Sequence, residues 1–336
     1  MFSKSKILNL KSKILVLVGP TSSGKSELAV KLARRFNGEI ISADSRQIYK
    51  GLNLGTGKIP GKWISVKTHG RAFYRYKGVF HHCIDYVNPK KQFSAALFKK
   101  DAQKAISAVL KRGKLPILCG GTAHWIDAVV YNQKLPDVKP NKKLRAALEK
   151  KSAEELYKQL AKLDPARAST TDRFNKRRLI RALEIIEATK KPISPLKPQP
   201  STLYPTLWLG IKTNQKDLYK KIEKRLKERF KQGIIKEVAD LHNHPLQSME
   251  RVPRANARGG RGLSWKRLNS FGLEYRFISL YLQKKLTYDE MFTQLLFAIK
   301  HYSKRQLTWC RKSKQIIWLP PDFSKTAKPV EKFLGK

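Results

Sequence analysis

The chain is expected to form an α/β fold, a P-loop NTPase-like parallel sheet flanked by helices, with an all-helical subdomain inserted into it. Three observations predict this. An apolar run, Ile14 to Val18, feeds directly into Gly19-Pro20-Thr21-Ser22-Ser23-Gly24-Lys25-Ser26, which satisfies G-x-x-x-x-G-K-[ST]. Short buried-strand runs then alternate with amphipathic helical stretches, as they do where parallel strands are joined by helices. From Asn141 to Lys190 the strand signal disappears and the pattern becomes wholly helical.

The first motif is dictated by phosphate chemistry. Glycines let backbone amides close around anionic oxygens, Lys25 adds a point charge, and the Ser26 hydroxyl suits Mg2+. The following helix sets Leu28, Leu32 and Phe36 on one face, and Gly38 is placed to end it. Its positive N-terminal end faces the same anion.

Glu39 to Ala43 reads as a second buried strand that ends at Asp44-Ser45-Arg46-Gln47. A carboxylate at the C-terminal end of a parallel strand lies at the rim where open α/β sheets bind ligands. Asp is equally apt as a turn or helix cap, and spacing alone does not separate the two. Gly51 to Lys58 carries three glycines and reads as a loop able to approach phosphate. Phe73 to Phe80 is aromatic-rich and strand-like, and Phe93 to Lys111 is helical through Leu97, Ala105, Ile106 and Val109. Leu115 to Cys119 is a third buried strand running into Gly120-Gly121-Thr122, a second helix start suited to anions. Locally, Thr122 reads best as an ordinary N-cap. This strand does not end in the acidic residue of a nucleotide-hydrolysing P-loop enzyme, which argues against a motor or ATPase.

The helical insertion, residues 133–203, contains a capping box at Ser152-x-x-Glu155. It also has an amphipathic run with Leu179, Leu183 and Ile186 opposite Arg177, Arg178 and Arg181, a stripe that faces either solvent or RNA. Five prolines between Pro192 and Pro205 stiffen the return to the core, which comprises residues 13–132 and 204–320. Thr206 to Ile211 resumes the sheet. Gln215 to Gln232 is a basic helix that Gly233 can cap, with Leu218, Ile222 and Leu226 inward. Arg225 lies at its face boundary, either reaching phosphate or simply solvated. Residues 242–262 read as a flexible basic loop, and Thr287-x-x-Glu290 caps a long helix through Leu295, Ile299 and Tyr302. That helix ends at Lys304-Arg305-Gln306-Leu307-Thr308-Trp309, where basic residues interleaved with Gln and Trp suit a phosphate backbone and stacked bases, or merely complete the helix dipole. Gln315 to Leu319 is a last strand, and residues 1–12 and 321–336 read as basic tails.

Composition narrows the partners. Among 336 residues, 71 basic side chains face 25 acidic ones, a formal net charge of +46, so nucleic acid is the first candidate partner. No apolar run approaches the roughly 20 residues of a spanning helix, so no membrane role is expected. Cys83, Cys119 and Cys310 lie far apart without a C-x-x-C, which indicates neither a disulfide framework nor a zinc module and fits a reducing cytosol. The pairs His81-His82 and His242/His244 lack cysteine partners and read as surface or structural histidines.

Taken in order, Gly19 to Ser26, Ala43 to Gly51, Gly55 to Lys58, Leu115 to Thr122, Arg178 to Glu184, Gly262 to Arg267, Phe271 to Tyr275 and Lys304 to Trp309 resemble the tRNA dimethylallyltransferase family, also called tRNA isopentenyltransferases. The resemblance implies transfer of a dimethylallyl group from its diphosphate to the exocyclic amine of the adenine 3′ of the anticodon. By match, Gly19, Pro20, Thr21, Ser22, Ser23, Gly24, Lys25 and Ser26 would hold the diphosphate, with Ser26 positioning Mg2+ as the cofactor. Asp44 falls on the general base, Thr122 on the hydroxyl at the bridging oxygen, and Arg225 on a position that assists with diphosphate. The resemblance also implies tRNA contacts for Asp44, Ser45, Arg46, Gln47, Thr122, Arg145, Arg177, Arg178, Arg181, Arg305 and Gln306. A bacterial-type cytoplasmic enzyme without a zinc finger follows, and a monomer is expected. His124 stands where an aliphatic residue is common, and 242–262 looks like added length. The competing readings are a P-loop small-molecule kinase and a non-catalytic RNA-binding P-loop protein.

Overall fold

The computed structural model describes residues 12–66, 71–193, 202–244 and 262–335. Contacts divide the chain into one compact unit of Met1–Val130 with Thr202–Lys336 and a second of Tyr131–Ser201.

The first unit opens with β1 (Ile14–Val18), α1 (Lys25–Arg35) and β2 (Gly38–Ala43), followed by β3 (Lys62–Val66), β4 (Arg71–Tyr76) and β5 (Val79–His82). Helix α2 (Ala95–Lys111), β6 (Leu115–Gly120) and α3 (Ala123–Val130) complete its N-terminal part. The second unit holds α4 (Lys142–Glu149), α5 (Ala153–Leu163), α6 (Pro165–Thr170) and α7 (Lys176–Thr189). The chain then returns to the first unit through β7 (Thr206–Ile211), α8 (Gln215–Lys231), α9 (Ile234–Asn243), α10 (Trp265–Asn269), α11 (Leu273–Leu282), α12 (Tyr288–Lys312), β8 (Ile316–Leu319) and α13 (Phe323–Leu334).

One eight-stranded sheet runs in the order β3-β4-β5-β2-β6-β1-β7-β8. Its core, β5-β2-β6-β1-β7-β8, is parallel, and β3 and β4 add an antiparallel edge. The expected parallel sheet core is present, and the antiparallel edge extends it. Strands β1 and β6 are apolar and buried throughout, as strands covered on both faces must be. Leu15 and Leu17 pack with Leu28 and Leu32 of α1 and with Val330 and Leu334 of α13. The equally buried Ile14, Val16 and Val18 point to the other face by strand alternation.

Two expectations need correcting. Gly38 does not end α1; Asn37 supplies the left-handed residue at φ 51, and Gly38 opens β2. A Cβ on Gly38 would lie 2.8 Å from the Leu115 carbonyl oxygen, so that glycine serves strand packing. Residues 321–336 are not a tail over most of their length, because Ala327, Val330 and Leu334 recur at helical spacing and bury α13 against the core. Its intervening lysines hide that stripe in a compositional reading. Gly233, with φ 91, ends α8 as expected but also starts α9, a helix not foreseen. The tail through residue 11, linker residues 194–201 and loop residues 245–261 lie outside the described residues.

The second unit has its own core of Leu148, Leu156, Leu160, Leu179, Leu183 and Ile186. Both halves of the Ser152/Glu155 capping box form, fixing the start of α5.

Candidate active site

Strand order and register place the three motif-bearing turns side by side. Strand β6 lies between β1 and β2, with Gly120 level with Val18 on one side and Ala43 on the other. The turn carrying Thr122 therefore falls between the P-loop and Asp44, at the strand ends where open α/β sheets bind ligands.

The P-loop is shaped to receive an anion. Ser22 and Gly24 adopt left-handed conformations, φ 61 and 87, which turn successive amides toward one side. The N–H groups of Ser22, Gly24, Lys25 and Ser26 have no acceptor among the described residues, and no side chain caps α1. Lys25 folds back so that Nζ donates to the Pro20 carbonyl oxygen at 3.1 Å. Burial lowers the Lys25 pKa below its ordinary value; Asp44 acts against that shift and Arg225 adds to it, so all three charges feel one another. Ser23 Oγ is buried without a partner, and the exposed Ser26 hydroxyl has none among the described residues. Among the described residues no group of three His, Cys, Asp or Glu could hold a metal ion. Any cation here would rest on Ser26 and on ligand oxygens, the arrangement expected for Mg2+ with a phosphate.

Asp44 is both a cap and a candidate base. Oδ1 accepts the N–H groups of Arg46 at 2.8 Å and Gln47 at 3.3 Å, while Oδ2 has no hydrogen bond among the described residues. Thr122 is not the local cap its position suggested, because its Oγ1 accepts the Ser45 N–H at 3.1 Å across the sheet end. The Thr122 N–H donates to the Ala43 carbonyl oxygen at 3.2 Å, a second tie between the same two turns.

Arg225 is held over the glycine-rich loop rather than freely solvated. Its Nη2 donates to the Gly57 carbonyl oxygen at 3.2 Å, and burial with Arg229 nearby lowers its pKa to about 10, leaving it charged at neutral pH. Gly57 has φ +60, and a Cβ there would collide with both guanidinium groups. Gln47 Nε2 donates to the same carbonyl at 3.3 Å. The loop itself is fixed by Glu237, which accepts the N–H groups of Asn53, Leu54 and Gly55 at 3.1, 2.7 and 3.0 Å and the Tyr275 hydroxyl at 2.7 Å. Arg229 in turn pairs with Glu274 at 3.1 Å. Sequence reasoning did not find Glu237, Arg229 or Glu274, since each acts on a loop or helix far along the chain. The one available signal was Phe271 to Tyr275, which carries Glu274 and Tyr275.

The residues matched to RNA fall into different environments. Arg46 is half-buried near Asp44, and Arg305 is exposed. Gln306 is buried and reaches the P-loop, where Oε1 accepts the Thr21 N–H at 2.8 Å. In the second unit, Arg177 and Arg178 are exposed. Arg145 and Arg181 instead converge on the buried Glu184 carboxylate, with Arg145 forming a fork at 2.8 and 2.7 Å. Burial alone would raise the Glu184 pKa, but hydrogen bonds from Arg145, Arg181 and the Asn141 N–H lower it. Of the expected basic stripe, Arg177 and Arg178 are exposed, while Arg181, together with Arg145, braces the fold.

An anion cradle at the end of β1 and a half-free carboxylate at the end of β2, on the far side of β6, define a P-loop enzyme suited to reactions with a phosphorylated leaving group. Residues 47–313 match the IPP transferase family model. A tRNA dimethylallyltransferase of Pelotomaculum thermopropionicum is 39% identical over 93% of this chain and 91% of its own length. Two crystal structures resemble the whole chain. The tRNA delta(2)-isopentenylpyrophosphate transferase of Staphylococcus epidermidis has a TM-score of 0.63 at 29% identity, covering 96% of this chain and 99% of its own. The full-length tRNA isopentenylpyrophosphate transferase of Bacillus halodurans gives 0.62 at 31%, covering 96% of each. The chain belongs to the tRNA dimethylallyltransferase family.

Proposed function

We propose that this chain transfers a dimethylallyl group from dimethylallyl diphosphate to the exocyclic amine of the adenine 3′ of the anticodon in tRNA, releasing diphosphate, and that it does so as a monomer in the cytoplasm. The observation carrying this reading is the coupling of cradle and carboxylate. The turn between them, ending in Thr122, is hydrogen-bonded to Ala43 and Ser45, the residues on either side of Asp44. Relatives named for the same activity over nearly their whole length support it.

In this reading the free amides of Ser22, Gly24, Lys25 and Ser26, the Lys25 ammonium and the Arg225 guanidinium hold the diphosphate. The Thr122 hydroxyl, whose oxygen already accepts from Ser45, directs its proton at the oxygen joining the allylic carbon to phosphorus. The adenine amine is a weak nucleophile because its lone pair is delocalised into the ring. As its bond to the allylic carbon forms and the carbon–oxygen bond breaks, Asp44 Oδ2 accepts the amine proton. Donors aimed at the leaving oxygen stabilise the charge that develops there. Mg2+ held by Ser26 would neutralise part of the diphosphate charge when bound. The target base must leave its stack to reach this rim. Exposed Arg177, Arg178 and Arg305 supply phosphate contacts, with Phe174, 79% exposed, available for stacking.

Incubation of the protein with Mg2+, dimethylallyl diphosphate and an unmodified tRNA carrying adenine at that position tests the reading. Prenylated adenosine is expected in the digested nucleosides; nucleotide-dependent phosphorylation of a small molecule without prenyl transfer would instead support a kinase.

A further inference from the structure

Gln306 follows Arg305 on α12, in a stretch whose charge and aromatic content suit RNA. Its side chain nevertheless turns inward and is only 8% exposed. Oε1 accepts the Thr21 N–H at 2.8 Å, and Nε2 donates to the Gly121 carbonyl oxygen at 3.0 Å. One end of the amide therefore grips the P-loop and the other grips the turn that carries Thr122. We infer that Gln306 is a positioning residue for the diphosphate and not an RNA contact, an inference that rests on the proposed transfer reaction.

Three features carry it. Thr21 already has its acceptor, while the amides of Ser22, Gly24, Lys25 and Ser26 remain open. Gln306 thus fixes the shape of the loop without taking a donor from those four. The space is tailored to this side chain, because a Cβ on Gly121 would collide with Gln306 Nε2. The helix that carries Gln306 is itself anchored: Trp309 Nε1 donates to Asp127 Oδ2 at 3.1 Å, and Ser303 and Cys310 are 1% exposed. A brace fastened to a fixed helix keeps the loop in one conformation before ligand arrives, so less ordering is lost on binding. The same brace sets the distance between the diphosphate cradle and Thr122, which both act on the departing diphosphate.

The test uses Gln306→Met, which keeps chain length and apolar packing but neither hydrogen bond. Binding of inorganic diphosphate with Mg2+ is measured by calorimetry, tRNA binding by gel shift, and transfer by steady-state kinetics, each beside the wild-type protein. Diphosphate affinity should fall about 10-fold, since the loop must then be ordered when the ligand binds. The KM for dimethylallyl diphosphate should rise in step, with tRNA affinity unchanged. Gly121→Ala, which leaves Gln306 intact but displaces its Nε2, should give the same pattern and serves if Gln306→Met fails to fold. Weakened tRNA binding with wild-type diphosphate affinity would overturn the inference, as would wild-type diphosphate affinity in both variants. If wild-type protein binds diphosphate yet transfers nothing, the transfer reading fails, and the diphosphate-binding comparison still decides the brace.

Discussion

Thr122 Oγ1 accepts the Ser45 N–H at 3.1 Å, joining two turns 77 residues apart in the chain. The bond uses the threonine oxygen as acceptor and leaves its proton for a ligand. It also holds the segment behind Asp44 against the turn next to the P-loop, so the base and the leaving-group site are not positioned independently.

Thr122→Val keeps the side-chain shape and loses both roles of the hydroxyl. Single-turnover transfer should slow by about 100-fold, the scale of removing one donor to a developing anion, while Thr122→Ser stays within a few-fold of wild type. A valine variant with wild-type rate would remove the hydroxyl from the reaction.

Asp44→Asn separates capping from proton acceptance. The amide oxygen can still accept from Arg46 and Gln47, as Oδ1 does now. Folding and tRNA binding should persist, while turnover drops on the order of 100- to 10,000-fold. A fall in tRNA affinity equal to the fall in turnover would make Asp44 a binding residue only.

The arginines of the second unit should separate by partner. Arg178→Ala removes an exposed cation; it should weaken tRNA binding, lower the slope of log affinity against log salt by about one, and leave the melting temperature unchanged. Phe174→Ala should also weaken tRNA binding without loss of stability. Arg145→Ala leaves Glu184 buried with only Arg181 as an ionic partner and should cost roughly 2–3 kcal/mol in stability, read by denaturant unfolding. Equal melting temperatures for the Arg145 and Arg178 variants would contradict this division.

Much of this arrangement was legible in the sequence because its signals are local. A strand feeding a glycine-rich anion loop, a carboxylate at a strand end, and a capping box before an apolar stripe need only neighbouring residues. What escaped depends on distant pairing. Glu237 binds three amides of the Asn53–Gly55 segment across more than 180 positions, and no local pattern encodes such a contact. The Arg145–Glu184 fork is similar, because an arginine on a basic face looks the same whether its partner is phosphate or a buried carboxylate. Helix α13 was masked differently, its apolar residues being diluted by lysines that charge counting weighs more heavily than periodicity.

Glu39 should govern part of the acid stability. Burial would raise its pKa, but hydrogen bonds from His82, Arg112 and Lys114 bring it down to about 2 from 4.5. A carboxyl depressed on folding contributes stability that is fully present above its unfolded value and lost as pH falls through the folded one. Urea unfolding from neutral pH down toward about pH 2 should therefore lose less stability in Glu39→Gln than in wild type. The variant should be weaker by about 2 kcal/mol at neutral pH. Its transfer rate should be close to wild type, since Glu39 lies near the start of β2 and Asp44 follows its end. Parallel pH profiles for the two proteins would count against this assignment.

The most direct test compares wild-type protein and Asp44→Asn on one unmodified tRNA with Mg2+ and dimethylallyl diphosphate, following prenylated adenosine by nucleoside mass spectrometry and released diphosphate together. The account predicts equimolar prenylated adenosine and diphosphate from the wild type, and almost none of either from the variant despite intact tRNA binding. Diphosphate release without adenosine prenylation, or equal product from both proteins, would contradict it.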